Sequence, residues 1–270
     1  MDIEVLECSK ASFIDTVNHK GYIEIERISI IYKSLLHSIK KPLKMVLLYG
    51  RPGTGKSMFL TKLYHDLKST QPIYIYKTPI FDEKEFFRTV ANDIFLKGRV
   101  SSINFSQLIK IVENSSFETI PLVLLDEAQL YPESLMEKIR LLSDTRKIKF
   151  VITLHKTQKE DLIAKEHFQT RIWESIELDS ASESELKTYI QKKLMHNGAI
   201  DTANMFNSKV IKNIYKLTNG NYRDTNKLLY TLFEIYISYN TAQKLYKLKL
   251  EYVEKKLIIM AAMHTGLIDG

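Results

Sequence analysis

Residues 50–57 read Gly-Arg-Pro-Gly-Thr-Gly-Lys-Ser, and this segment restricts the possible folds of the 270-residue chain more than any other. It matches the pattern G-x-x-x-x-G-K-[ST] at every position. The apolar run 45–49 before it predicts a buried strand, and apolar residues at helical spacing in 57–67 predict an amphipathic helix. Glycine suits a turn whose backbone N–H groups must approach a polyphosphate closely. The strand, turn and helix together predict a phosphate-binding loop.

This loop is a complete Walker A motif, and its residues have separate expected roles. A helix that opens at Lys56 presents free N–H groups and the positive end of its dipole to an anion. We expect Lys56 to neutralise the β- and γ-phosphates and Ser57 to ligate Mg²⁺. The expected cofactors are therefore ATP and Mg²⁺. The predicted nucleotide contacts in the loop are Gly50, Arg51, Pro52, Gly53, Thr54, Gly55, Lys56, Ser57 and Met58.

A second motif, in residues 120–129, is an apolar strand that ends in two adjacent carboxylates. In a parallel sheet, functional residues lie at the carboxyl ends of the strands. We expect Asp126 to hold the Mg²⁺ shell and Glu127 to orient and deprotonate the attacking water. The alternative is a solvated acidic pair after a core strand. Two adjacent acids at a strand end are costly without a cation or partner, which favours the catalytic interpretation.

The chain has a formal net charge of +7, from 39 basic and 32 acidic residues. From Ser182 to the end there are thirteen Lys and Arg against eight Asp and Glu, a net +5. This basic C-terminal third would suit nucleic acid or an anionic membrane surface. A solvated helical face would have the same composition, so charge alone leaves both interpretations open.

Other features of composition concern the compartment. The single cysteine, Cys8, excludes an internal disulfide framework and suits a reducing environment. The acidic N-terminus lacks the pattern of a signal peptide, and the longest apolar run, 257–263, is too short to span a bilayer. The expectation is a cytoplasmic protein without a membrane span, peripheral to the inner membrane at most and then through a partner.

The order of predicted elements gives the fold class. Strands at 45–49, 72–77, 120–125, 148–154 and 175–178 alternate with helices at 57–67, 82–97, 104–114 and 133–142, which is typical of a parallel sheet. After residue 179 only helices are predicted, near 182–194, 208–217, 222–239 and 242–263, the first opened by a Ser182-x-x-Glu185 capping box. The prediction is an α/β P-loop nucleotide-binding domain over 1–180, which includes an N-terminal helix at 22–40, and an all-helical domain over 181–270.

This layout resembles the AAA+ ATPases, in which a five-stranded P-loop domain is followed by a small helical lid. Among them it looks most like the ExeA-type group, the general secretion pathway protein A family, which is related to ATPases that regulate DNA transposition. The likeness covers about residues 20–265. It is carried by the two motifs above and by the segments 76–79, 85–88, 124–129, 139–143, 170–172, 189–194 and 220–226.

The resemblance implies roles for two arginines. Arg171, just before the fifth strand, would be a finger that reaches the nucleotide of a neighbouring subunit. Arg223 matches the family's Gly-x-x-Arg signature and would contact the γ-phosphate within its own subunit. The alternatives are a surface ion pair for Arg171 and an ion pair with a carboxylate, such as Asp224, for Arg223. An arginine finger is worth roughly 10³–10⁵ in rate.

The sequence departs from the family after the fourth strand, where relatives carry Gly-Gln and an acidic-Leu pair. Here residues 153–156 read Thr-Leu-His-Lys. The polar residue that senses phosphate and positions water is therefore open: Thr153 is the first candidate and His155 the second. In addition, Tyr222 replaces the proline that commonly precedes the lid arginine.

Three functions follow from the resemblance and the charge. The first is an ATPase that remodels a protein partner during assembly of an envelope, secretion or DNA-uptake machine, as an ATP-dependent homo-oligomer. The second is a DNA-associated ATPase that contacts the duplex backbone through the basic lid. The third is a nucleotide-gated scaffold with little turnover. The lid tyrosines (Tyr215, Tyr230, Tyr236, Tyr239 and Tyr246) recur at helical spacing, which favours core positions over base stacking.

Overall fold

A computed structural model of the chain describes residues 3–42, 44–96, 98, 100–156, 172–241 and 253–268, apart from the side chains of residues 173 and 241. It divides the chain into two compact units. The α/β unit comprises Ile30–Leu178, and the helical unit comprises Met1–Ser29 together with Asp179–Gly270. The division near 179 lies close to the predicted boundary at 180. The N-terminal residues 1–29 differ from the prediction, because they belong to the helical unit rather than to the nucleotide-binding domain.

The α/β unit is built on a parallel five-stranded sheet in the order β2-β3-β4-β1-β5. This confirms the predicted fold class. The strands are β1 (Met45–Gly50), β2 (Ile73–Tyr76), β3 (Leu122–Leu125), β4 (Lys149–His155) and β5 (Ile172–Glu177). The fifth strand begins earlier than its prediction at 175–178.

Helices connect these strands. They are α3 (Lys56–Leu67), α4 (Glu83–Val90), α5 (Phe105–Asn114) and α6 (Glu133–Asp144), and α2 (Glu26–Lys40) precedes β1. The predicted helix 82–97 is regular only in its first half, since Ala91–Leu96 continues α4 as a π-helix. Asn104 and Gln107 form a capping box that starts α5. Asp82 accepts a hydrogen bond from the Glu85 N–H and so begins α4.

The core of the α/β unit explains the apolar composition of its central strands. Every residue of β3 is buried, and β1 is buried at all positions except Tyr49. Because both faces of these strands are covered, their sequences are continuous apolar runs rather than alternating ones. Phe86, Leu135 and Phe150 are fully buried in the same cluster. This packing fixes the strand ends that carry the polar residues described below.

The helical unit contains α1 (Ile3–Ala11), α7 (Glu183–His196), α8 (Ile200–Met205), α9 (Ser208–Thr218), α10 (Tyr222–Thr241) and α11 (Lys255–His264). The capping box of Ser182 and Glu185 is confirmed at the start of α7. Helices α1 and α8 were not predicted, and both are short, with nine and six residues. The predicted helix 242–263 is described only from 253, and its earlier part lies outside the described residues.

Most of the lid tyrosines lie in or against the core of the helical unit. Tyr236 is buried, and Tyr215, Tyr230 and Tyr239 pack against the apolar cluster. Their core assignment is confirmed, whereas Tyr246 lies outside the described residues. Among the described residues, no helix is long and apolar enough to cross a bilayer.

Candidate functional site

Three neighbouring strands of the α/β unit end at the same edge of the sheet. The central one is β4, which pairs with β1 on one side and β3 on the other. In the register of these pairs Gly50 lies opposite His155, and Leu125 lies opposite Ile152. The Walker A loop follows β1 and the acidic pair follows β3, so the end of β4 lies between the two motifs. The topology therefore brings both motifs and residues 153–155 together.

The glycines of the loop are required for two different reasons. A Cβ at Gly50 would lie 2.2 Å from the Leu178 carbonyl oxygen, so the first position of the motif has no room for a side chain. Gly53 and Gly55 have φ angles of 80° and 94°, in the left-handed region that favours glycine. A Cβ at Gly55 would meet no atom within 4 Å, so the loop faces open space there. The loop therefore lacks free space beside Gly50 and has free space beside Gly55.

Lys56 is 5% exposed, and its ammonium group lies inside the loop. Its Nζ donates to the carbonyl oxygens of Gly50 at 2.8 Å and Arg51 at 3.0 Å. Since α3 begins at Lys56, the N–H groups of its first turn have no acceptor within the helix. An ammonium group, a helix N-terminus and left-handed glycines form a donor set that fits a polyphosphate. Ser57 is the second residue of the same turn.

Asp126 is 5% exposed at the end of β3 and is held by hydrogen bonds. Its Oδ1 accepts from the Thr153 Oγ1 at 2.5 Å and from the Glu127 N–H at 3.1 Å. The Asp126 N–H donates to the Tyr76 carbonyl oxygen at 3.1 Å, which ties the acid to β2. No ion pair to Asp126 occurs within the described ranges. Burial of a carboxylate without a cationic partner is costly, which favours a bound cation here, and Mg²⁺ binds through one or two carboxylates plus phosphates.

Glu127 has a φ angle of 51°, in the left-handed region. This conformation costs a residue other than glycine about 1–3 kcal/mol and persists where the surroundings enforce it. The enforcing contact is the Glu127 N–H, which donates to the Thr153 Oγ1 at 2.9 Å as well as to Asp126. The Glu127 Oε1 lies 3.6 Å from the His155 Nε2. Thr153 and His155 thus fix the backbone and border the side chain of Glu127.

The two candidates for the phosphate-sensing position differ in exposure. Thr153 is fully buried and its hydroxyl is engaged by both acids of the pair. His155 is partly exposed at the end of β4, and its N–H donates to the Gln129 Oε1 at 3.4 Å. Sequence reasoning did not identify Gln129. Its position in the Asp-Glu-Ala-Gln segment after β3 could have indicated that it lies near the acidic pair.

Tyr131, just beyond the acidic pair, is 4% exposed. Burial and, to a smaller extent, the charge of Asp126 raise the pKa of the Tyr131 hydroxyl to about 12. The phenol therefore remains protonated at neutral pH. Among the described residues, no group of three or more His, Cys, Asp or Glu forms a metal site. The predicted Mg²⁺ ligands, Ser57 and Asp126, would leave the remaining coordination to water and phosphate.

Neither of the two predicted arginines belongs to the described residues of the α/β unit. Arg171 lies outside the described residues. Arg223 belongs to the helical unit, where its Nε lies 3.5 Å from the Asp15 Oδ2. Both side chains are more than half exposed. The expected alternative partner was Asp224, whereas the structure shows Asp15. The role of Arg223 at a nucleotide remains a prediction.

The sheet order, the loop after β1 and the acids after β3 define an AAA+ P-loop NTPase fold with a helical C-terminal region. Residues 40–163 match the family model described as an AAA domain. No significant match is found among curated protein sequences.

Three solved structures are similar to this chain. Cdc6p from Pyrobaculum aerophilum has a TM-score of 0.66 and 14% identity, covering 95% of this chain and 71% of that chain. The Aeropyrum pernix ORC1 protein, solved in complex with DNA, has a TM-score of 0.62 and 14% identity over 94% and 69% of the two chains. The Aeropyrum pernix ORC2 protein, in ADPNP and ADP complexes, has a TM-score of 0.57 and 14% identity over 93% and 70%. The TM-scores show a shared fold, and at 14% identity the likeness shows the fold alone.

Proposed function

We propose that this protein binds Mg-ATP at the Gly50–Ser57 loop and hydrolyses it. The observation that carries the proposal is the hydrogen-bonded group of Asp126, Glu127 and Thr153 at the ends of β3 and β4, of which β4 pairs with the strand before the loop. A phosphate-binding loop alone would support nucleotide binding. A carboxylate in a strained backbone position beside it supports chemistry on the nucleotide.

Each side chain has one proposed task. Lys56 exchanges its two carbonyl acceptors for phosphate oxygens. Ser57 and Asp126 hold Mg²⁺, which neutralises charge on the phosphates when it is bound. Glu127 accepts a proton from the attacking water, and Arg223 stabilises γ-phosphate charge.

We assign different roles to the two residues at the end of β4. Thr153 positions Asp126 and the Glu127 backbone, because its hydroxyl already bonds to both. His155 is the better candidate to orient water or sense phosphate, because it is partly exposed and its Nε2 lies near the Glu127 carboxylate. This reverses the order of preference that the sequence suggested.

Substitution of Glu127 tests the hydrolysis. The Glu127→Gln variant keeps the size of the side chain, but its amide cannot take a proton. We expect phosphate release to fall by about 10²–10⁴-fold, with ATP affinity preserved in an equilibrium binding assay. Hydrolysis at the wild-type rate by this variant would refute the catalytic assignment. The Asp126→Asn variant should lose Mg²⁺-dependent hydrolysis as well.

The hydrolysis would drive a switch or remodelling event on a protein partner, in assembly of an envelope, secretion or DNA-uptake machine. The ExeA-type resemblance in residues 124–129 and 220–226 supports this role. The Glu127→Gln variant should trap the partner, so affinity purification with and without ATP is the direct experiment. A partner recovered equally in both conditions would argue for a constitutive scaffold.

We also propose an ATP-dependent homo-oligomer in which Arg171 reaches the neighbouring nucleotide. Sedimentation velocity with ATP should show larger species for the wild-type protein than for Arg171→Ala. If the two profiles and the two hydrolysis rates agree, Arg171 is not a finger.

A second candidate function is a DNA-associated ATPase. Similarity to an ORC1 protein solved with DNA concerns the fold only, at 14% identity. The observation that favours this candidate belongs to this chain: residues 202–223 carry four basic side chains and no acidic one.

A further inference from the structure

The exposed face of helix α9 carries three lysines. Lys209, Lys212 and Lys216 are all exposed, and their spacing of three and four residues places them on one side of the helix over about 10 Å. The opposite side is apolar, since Val210, Ile211 and Ile214 are buried in the core of the helical unit. We call Lys209, Lys212 and Lys216 the α9 lysine face.

This face lacks the charge pairing found on other helices of the chain. Basic residues of α1, α3 and α6 form ion pairs one turn away, in Lys10–Glu7, Lys62–Asp66 and Arg140–Glu137. Helix α9 contains no acidic residue, and within the described residues none of its three lysines forms an ion pair.

Repulsion among these lysines destabilises helix α9. Like charges three or four residues apart destabilise a helix. Lys209–Lys212 and Lys212–Lys216 are two such pairs. The uncompensated charge therefore costs stability, which a bound polyanion would recover. We propose that the α9 lysine face binds the phosphate backbone of duplex DNA without reading its sequence.

The chemistry of the helix favours nucleic acid over a membrane. A membrane-surface helix inserts apolar side chains between lipids, but the buried apolar side chains of α9 are committed to the core. The exposed Ser208 flanks the lysines and is a further hydrogen-bond donor of the kind that contacts phosphates. A duplex presents about one charge per 1.7 Å of its axis, so several phosphates lie within reach of the three ammonium groups.

This inference rests on the second candidate function, but its test requires no ATP turnover. A fluorescein-labelled duplex of about 30 base pairs and mixed sequence is titrated with the full chain, without nucleotide, between 50 and 200 mM NaCl. The test variant is Lys209→Gln/Lys212→Gln/Lys216→Gln. The matched control is Lys68→Gln/Lys84→Gln/Lys110→Gln, which removes the same charge from exposed positions of the α/β unit.

We expect the α9 variant to bind the duplex at least about tenfold more weakly at 50 mM NaCl. The slope of log K against log salt should fall by about 3, because each lost phosphate contact contributes about 0.9. The control should change that slope by less than about 1. A third variant with arginine at all three α9 positions should keep the wild-type affinity, which separates loss of charge from loss of folding.

Three results would overturn the inference. A wild-type chain that binds no duplex would remove the second candidate function as well. An α9 variant that binds like the wild type, or no more weakly than the control, would remove the α9 lysine face alone. Binding to phosphatidylserine vesicles without binding to duplex would assign the face to a lipid surface. None of these results bears on ATP hydrolysis, which the Glu127→Gln variant tests separately.

Discussion

Both units of the chain contain a lysine whose ammonium group donates to uncharged oxygen atoms. In the α/β unit Lys56 donates to the carbonyl oxygens of Gly50 and Arg51. In the helical unit Lys193 donates to the Tyr189 hydroxyl and to the Asn226 Oδ1, both at 3.0 Å.

The surroundings of the two lysines differ. Lys56 opens a helix and lies in a loop whose tip faces open space at Gly55. Lys193 lies over the rings of Phe13 and Tyr189, at 5.5 and 5.2 Å from their centroids. Its polar partners also bond to each other, because the Tyr189 hydroxyl donates to Asn226 at 2.8 Å. Open space and further hydrogen-bond donors beside Lys56 favour a ligand site. Aromatic rings beside Lys193 favour a structural contact.

The largest expected difference is in hydrolysis. The Lys56→Ala variant should lower the rate of ATP hydrolysis by about 10²–10³-fold, as removal of a charge-stabilising donor does in other sites. The Lys193→Met variant, which removes the enclosed charge, should hydrolyse ATP at the wild-type rate. Phosphate release under saturating Mg-ATP measures both. A comparable loss in Lys193→Met would abolish the distinction between the two lysines.

Two glycines provide a second comparison between a position that faces open space and a position that is enclosed. Gly55 and Gly220 both have positive φ angles, 94° and 72°. A Cβ at Gly220 would lie 1.9 Å from the Ala181 carbonyl oxygen, whereas one at Gly55 would meet open space. Alanine at either position incurs the left-handed strain of about 1–2 kcal/mol, but only Gly220→Ala adds the clash. We expect Gly220→Ala to lower the free energy of unfolding by about 3 kcal/mol.

Urea unfolding followed by circular dichroism measures both glycine variants. Gly55→Ala should lose less stability than Gly220→Ala but more ATP affinity. Equal stability losses would mean that the contact of Gly220 with Ala181 can relax.

The pH dependence of stability is a third test, because burial lowers the pKa of Lys193 to about 8. An unfolded lysine has a pKa of about 10.4, so the unfolded chain binds more protons between these values. Stability should therefore rise with pH, by about 2 kcal/mol between pH 7.5 and 9.5 from this group. The Lys193→Met variant should lack this increment. An identical pH profile in both proteins would show that the ammonium group is hydrated.

The sequence was most informative where one physical requirement restricts both residue type and spacing. The Gly50–Ser57 loop and the apolar run before Asp126 predicted two strands, the helix after the loop and their meeting at one sheet edge. The capping box at Ser182 and Glu185 likewise predicted the start of α7. In each of these cases the signal is local along the chain.

Features that depend on distant residues were not accessible in this way. The hydrogen bond from Thr153 to Asp126 joins residues on neighbouring strands, and no local pattern shows that the hydroxyl is already engaged. Residues 1–29 join the helical unit because Leu6 and Phe13 are buried in its core, and the sequence lacks a marker for that partner. The left-handed conformation of Glu127 is enforced by the same Thr153 contact.

Thr153 provides the last comparison between the units. Valine at this position has the same shape but lacks the hydroxyl, so Asp126 and the Glu127 N–H each lose a partner. The expected result is a fall of about tenfold in the rate of hydrolysis, since an unsatisfied buried group costs about 1–3 kcal/mol. Thr153→Ser should restore most of the rate because it keeps the hydroxyl.

The matched control is Thr202→Val in the helical unit, where the buried hydroxyl accepts from the Ser9 Oγ at 3.1 Å. It removes the same atom from a comparable environment, so it should lower stability by about 1 kcal/mol without changing hydrolysis. The two hydroxyls have different contacts, since Thr153 bonds to the acidic pair of the proposed site and Thr202 bonds to Ser9 of helix α1. If Thr153→Val affects stability alone, as Thr202→Val should, then the strained backbone at Glu127 does not depend on Thr153.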